Sequence, residues 1–260
     1  MRADPTADVP PASVINADSI SPFLLVCDHA SRALPARYGT LGIEESELWR
    51  HIAWDIGAAD VTRRLAAALD APAILSGVSR LLVDCNRATD DPTFICQVSD
   101  GTVVPGNRDL DSGEVQHRIR AYYEPYHEAV AAAVEQSRKH VEAPALVSIH
   151  SFTPVMRGVQ RPWHVGILWD KDPRLAVPLM RLLGEDPALV VGDNLPYSGR
   201  STVGDTMQRH GAATGLPHVL IELRQDLVDT HHGAEAWAGR LATVLRRLLA
   251  EQGPFAVERF

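Results

Sequence analysis

The chain has 260 residues, 45% of them hydrophobic and 22% charged, which is ample for a packed α/β core. Its net charge of −8 excludes a basic nucleic-acid footprint, though not a local basic pocket for an anionic substrate. No apolar run approaches the ~20 residues that span a bilayer, and the N-terminus lacks the apolar core of a signal peptide. A cytoplasmic protein with no membrane or nucleic-acid partner is therefore expected; its three cysteines (Cys27, Cys85, Cys96) are odd in number without metal-site spacing, and Cys27 and Cys85, on apolar strands, read as reduced buried thiols.

Residues 1–20 read as a flexible arm, and residues 21–260 as one domain, because no linker or charge block divides them. Residues 22–28 form the first buried strand. After a turn-rich loop, the acidic stretch Glu44-Glu45-Ser46-Glu47 suits a helix N-terminus, and apolar residues at helical spacing carry that helix to Leu69 with a break near Gly57. Ala73 to Leu75 and Arg80 to Asp84 read as extended, and residues 88–111 as a long functional or mobile loop. Ser112 to Lys139 is a long helix capped by Ser112 and kinked at Pro125. Leu146 to Phe152 and Val165 to Trp169 are strands. Asp172-Pro173 opens a helix, Ala188 to Val191 is a short strand, and Thr202 to Ala213 is a helix. His218 to Leu223 is the last strand, and Ala234 to Glu251 a closing amphipathic helix. Strands alternating with helices predict a largely parallel sheet covered on both faces.

Three apolar strands run into polar side chains: the first into His29, the next into His150, the last into Glu222. In open α/β sheets the carboxyl edge is where ligands bind. Two neutral imidazoles and a carboxylate on one rim point to two zinc ligands and a general base. A catalytic zinc takes a third protein ligand. Asp28, beside His29, is set aside because successive strand residues face opposite ways. Asp55, an acid in an apolar helical stretch, needs a partner if buried: a metal, or a nearby arginine. Arg80 and Arg87 bracket a strand, and Asn86 adds a neutral donor; such groups fork onto carboxylates or stabilise an oxyanion, unless Asp84 and Arg87 simply form a salt bridge. Glu222 serves as base or pairs with Arg224. Ser151 has no G-x-S-x-G elbow around it and is read as a hydrogen-bonding residue near the site. Asn194, Tyr197 and His210 lie in a region that either covers the pocket or is plain surface.

The blocks CDHASRALP, HIAWDIGAADVTRRLA, SRLLVDCNR, SIHSFTP, NLPYSG and HVLIELRQDLV, in this order, resemble the N-formylglutamate amidohydrolase family from about Pro22 to about Leu249. That family is related in fold to zinc carboxypeptidases and the aspartoacylase group. The resemblance implies a three-layer α/β/α sandwich around a mixed, largely parallel sheet. It implies hydrolysis of the amide of an N-acyl acidic amino acid, such as N-formylglutamate, by a zinc-activated water. His29 and His150 match the metal-binding histidines, Asn86 and Arg87 the pair that holds the substrate α-carboxylate, Arg80 the group that polarises the scissile carbonyl, and Glu222 the late general base. Ser151, Tyr197 and His210 are expected as substrate contacts. One departure stands out: carboxypeptidases place a Glu ligand three residues after the first histidine, and this chain has Arg32 there, so Asp55 is taken as the third ligand. A metallo-carboxypeptidase or peptidoglycan amidase, and a binding protein that has lost its metal, are the alternatives. A cavity closed by residues 88–111 would favour the small substrate over a peptide. The sequence leaves the oligomeric state open.

Overall fold

The computed structural model describes residues 9–200 and 204–260. In chain order the elements are β1 (Ala12–Ile15), β2 (Phe23–Cys27), α1 (Ala58–Leu69), β3 (Ala73–Ser76), β4 (Val98–Ser99), β5 (Thr102–Val103), α2 (Ser112–Arg118) and α3 (Glu124–Ser137). There follow β6 (Ala145–Phe152), β7 (Val155–Met156), β8 (Val159–Gln160), β9 (Val165–Leu168), α4 (Pro173–Leu183), β10 (Val191–Asp193), β11 (His218–Arg224) and α5 (His231–Gln252). Seven strands make one mixed sheet in the order β1-β3-β2-β6-β11-β9-β10. The four central strands are parallel; β9 runs antiparallel to β11, and β1 antiparallel to β3. The inner strands β2, β3 and β6 are buried at every residue, which is why they read as continuous apolar runs. Helices α1, α4 and α5 pack together on the sheet, and α3 with the π-helical turn Met207–Gly211 packs on it elsewhere. The fold is the expected α/β architecture, with helices around a mostly parallel sheet. Among the described residues no helix is long and apolar enough to cross a membrane.

Several local expectations change. Residues 1–8 of the predicted arm lie outside the described residues, but residues 12–15 are an edge strand, paired from Ala12↔Ser76 to Ile15↔Ala73. The helix expected from Glu44 to Leu69 is split into a 3-10 turn, Glu45–Trp49, and α1. Between them the chain reverses at Gly57, whose φ is +81° and whose missing Cβ would sit 2.2 Å from the Val228 carbonyl oxygen. Arg80 to Asp84 is not a strand but a series of turns, and its apolar side chains Leu81, Leu82 and Val83 pack into a second core with Phe94, Val104 and Tyr123. The long helix from Ser112 carries a π turn at Ile119–Tyr123 just before Pro125, and its N-cap is Asp111, whose side chain accepts from the Glu114 amide. The predicted strand at 188–191 begins later, at Val191. The predicted helix from Thr202 has its first residues outside the described set and continues as π and 3-10 turns.

Candidate metal centre and active site

The sheet register sets His150 and Glu222 side by side on β6 and β11, and places Gly166 of β9 opposite Glu222 on its other side. His29 lies two residues beyond the end of β2. Asp55 stands in the turn before α1, its backbone N–H donating to the His29 carbonyl at 3.0 Å. That bond and the reversal at Gly57 bring a residue 26 positions away onto the rim.

His29, Asp55 and His150 each offer a ligand atom within 4.8 Å of the other two, and all three are buried. Both histidines aim Nδ1 at Asp55 Oδ2, at 3.3 Å from His29 and 2.8 Å from His150. Their far nitrogens meet two further buried carboxylates: His29 Nε2 lies 2.7 Å from Asp84 Oδ1, and His150 Nε2 lies 2.8 Å from Asp28 Oδ2. With Nε2–H donating outward, each Nδ1 keeps its lone pair for a metal, the arrangement that orients metal-bound histidines. Charge balance points the same way. Asp28, Asp55 and Asp84 are buried, and Arg80 is the cation paired within this group. With neutral imidazoles the group carries two net negative charges, which a divalent cation cancels. Burial pulls His150 down, but its hydrogen bonds to Asp28 and Asp55 prevail and raise its pKa to about 10. Burial pushes Asp55 up, yet the two histidines hold it below the usual carboxylate range. The donor set of two imidazoles and a carboxylate suits zinc.

Asp84 does more than orient His29. Its Oδ1 also accepts from the Asn86 amide at 2.9 Å, while its Oδ2 accepts from Arg80 Nε at 3.1 Å and Nη2 at 2.7 Å. The alternative reading, an Asp84–Arg87 bridge, is not what forms: Arg87 donates to the Asn86 carbonyl at 3.0 Å and to Thr93 Oγ1 at 3.3 Å. Glu222 does not pair with Arg224, which forks onto Asp226 at 2.7 and 3.2 Å. Glu222 is buried, and its Oε2 has no hydrogen-bond partner among the described residues. Burial, reinforced by Asp55 and opposed by His150, raises its pKa to about 7.

These groups line a cavity of about 170 Å³. Its walls hold His29, Asp55, Arg80, Asn86, Arg87, His150, Ser151, Tyr197 and Glu222, all expected from the sequence. The Ser151 hydroxyl donates to the Ile56 carbonyl at 2.7 Å and accepts from Gln225 Nε2 at 3.3 Å. His210 does not reach the cavity. It is buried against His127, with His210 Nε2 at 3.0 Å from His127 Nδ1 and the rings stacked. Asn194 organises its own turn by accepting from the Trp169 and Gly199 amides at 3.1 and 2.8 Å. No residue of 88–111 lines the cavity; Asn107 donates to the Leu81 carbonyl and, within the loop, to the Cys96 carbonyl, while Phe152, Thr153, Tyr197 and Gly204 complete the wall.

Sequence reasoning missed Asp28, Asp84 and the wall residue His51. Strand alternation excludes Asp28 only if the strand continues, and it stops at Cys27. Asp28 then gathers Tyr126 Oη at 2.7 Å and Ser148 Oγ at 3.1 Å as well as His150. The signal available for both acids was a carboxylate embedded in an apolar block beside a functional residue.

The family model for N-formylglutamate amidohydrolase matches residues 21–228. Among solved structures, the gene product Atu2144 from Agrobacterium tumefaciens superposes with a TM-score of 0.90 at 36% identity, over 95% of this chain and 96% of that one. An N-formylglutamate amidohydrolase from Ralstonia eutropha JMP134 superposes with a TM-score of 0.67 over 92% of this chain and 99% of that one; at 20% identity this likeness is one of fold. No curated protein matches.

Proposed function

The chain belongs to the N-formylglutamate amidohydrolase family, and from that membership we propose that it is a zinc-dependent hydrolase of the amide bond of N-acyl acidic amino acids, N-formylglutamate first among them. The observation that carries this reading is the buried His29–Asp55–His150 cluster beside a buried carboxylate, Glu222, with an unpaired oxygen. His29, Asp55 and His150 would hold the metal, which when bound supplies a Lewis acid for the scissile carbonyl and lowers the pKa of water toward ~7.

The chain's own groups do the rest. Glu222, with its pKa raised to about 7, takes the proton of the attacking water and returns it to the leaving amine. Arg80 is fixed by Asp84 through Nε and Nη2, which leaves Nη1 facing the cavity 3.7 Å from Asp55 Oδ1, to stabilise charge developing on the acyl oxygen. Asn86 and Arg87 receive the α-carboxylate; Arg87 has no acidic partner among the described residues and offers a planar fork. A cavity of about 170 Å³ favours a small acyl amino acid over a peptide. The test is formate release from N-formyl-L-glutamate together with zinc content, for wild type and His150→Ala. About one zinc per chain and turnover, both lost in the variant, support the reading. Turnover that survives chelation and dialysis would overturn it.

A further inference from the structure

Among the described residues, a second guanidinium without an acidic partner stands beside the cavity wall. Arg161 follows the β7–β8 hairpin, and its backbone N–H donates to the Pro154 carbonyl at 2.8 Å. Its Nη1 donates to Thr153 Oγ1 at 3.3 Å and to Tyr197 Oη at 3.1 Å. Its guanidinium carbon lies 4.9 Å from the centre of the Tyr197 ring and 6.0 Å from that of Phe152. Thr153, Tyr197 and Phe152 all line the cavity. Arg161 is thus held in one place by two hydroxyls and an aromatic face, none of which neutralises it. The other arginines of the rim are committed: Arg80 to Asp84, and Arg224 to Asp226. Burial raises the Tyr197 pKa, and Glu222 adds to that rise, so the hydroxyl that Arg161 donates to lies within the electrostatic reach of the general base. Among the described residues the cavity accordingly has one guanidinium without an acidic partner on its wall, Arg87, and another held against wall residues, Arg161, with the His29–Asp55–His150 cluster and Glu222 on the same wall.

We propose that Arg161, set by Tyr197 and Thr153, binds the side-chain carboxylate of the substrate and makes the site selective for N-acyl dicarboxylic amino acids over their side-chain amides. This rests on the amidohydrolase reading above. A guanidinium gives a carboxylate two parallel charge-assisted bonds, and an amide carbonyl only one neutral acceptor. The preference expected from the lost charge-assisted bond is about tenfold to a hundredfold.

The experiment compares kcat/KM on N-formyl-L-glutamate and N-formyl-L-glutamine for wild type, Arg161→Gln, Arg161→Lys and Arg87→Gln. Arg161→Gln is expected to lower kcat/KM on the glutamate compound about tenfold or more, chiefly through KM, and on the glutamine compound far less. Arg161→Lys is expected to restore part of the preference, because it keeps the charge and loses the fork. Arg87→Gln is expected to impair both substrates alike. If wild type hydrolyses N-formyl-L-glutamate and Arg161→Gln leaves the ratio unchanged, or if Arg87→Gln is the variant that abolishes it, the assignment of Arg161 is overturned while the amidohydrolase reading stands. If wild type hydrolyses neither compound with zinc present, the amidohydrolase reading fails and takes this assignment with it.

Discussion

Asp84→Asn is the perturbation that tests the most connections at once. The carboxylate accepts four hydrogen bonds: from His29 Nε2 at 2.7 Å and the Asn86 amide at 2.9 Å on Oδ1, and from Arg80 at 2.7 and 3.1 Å on Oδ2. Asparagine has nearly the same shape but one acceptor oxygen, so its NH₂ must face one of those two sets of donors. Facing Arg80, it sets donor against donor and frees the guanidinium from its seat. Facing His29, it forces Nε2 to accept; the ring proton then moves to Nδ1, the nitrogen aimed at Asp55, and that lone pair is lost to a metal. Either way the buried cluster also loses one of the negative charges that a divalent cation balances. Removing such a partner weakens metal binding about 10- to 100-fold, or roughly 1.4–2.8 kcal/mol at 1.4 kcal/mol per decade. The assay is a zinc competition titration against a chromophoric chelator, for wild type and variant, with thermal unfolding run in parallel to establish that the variant is folded. A folded Asp84→Asn protein that binds zinc within about twofold of wild type would refute the reasoning, because it would mean that the outward hydrogen bond does not set the His29 tautomer.

Glu222→Gln should keep the metal, measured by zinc content, and lose turnover about 100-fold or more; retained turnover would remove Glu222 from the base role. As a base, Glu222 must be ionised, so kcat/KM should fall as pH drops through about 7. A bound cation favours the ionised form and moves that limb lower, and a rate flat down to about pH 5 would speak against the assignment. Gly204→Ala places a Cβ 2.0 Å from Asn86 Oδ1 and must push the amide out of the wall; KM for N-formyl-L-glutamate should rise about tenfold with the zinc content unchanged, and an unchanged KM would separate Asn86 from substrate binding. Arg118 is buried and bonds Glu114, Asn107 and the Leu82 and Gly106 carbonyls, which tie the second core to α2. Arg118→Met should destabilise by about 3 kcal/mol through the groups it leaves unpaired, visible in calorimetry as a loss of roughly 6 °C or more in Tm; a smaller loss would mean that water replaces the lost bonds.

The rim was legible because its evidence is local. Parallel strands buried on both faces need unbroken apolar runs, so a run that stops at His29, or carries His150 or Glu222, marks the polar edge without any coordinates. Local pattern failed where the chain has no regular period. The run Leu81-Leu82-Val83 is as apolar as a strand, yet it packs as turns into the second core, the Leu82 and Asp84 amides donating to the Ser79 and Phe94 carbonyls. His210 has the chemistry of a site residue, and packing gave it to His127 instead.

The sequence by itself determined the layered α/β fold, the two histidines and the acid of the rim, and the arginine-rich block beside them, since periodicity and residue type are properties of short stretches. Only the tertiary structure decided which carboxylate serves which histidine. Asp84 meets His29 across 55 positions, Asp28 meets His150 across 122, and Asp55 reaches both only because Gly57 turns the chain against Val228. Such pairings depend on where distant segments come together in the folded chain, and the spacing of residues along it does not encode them.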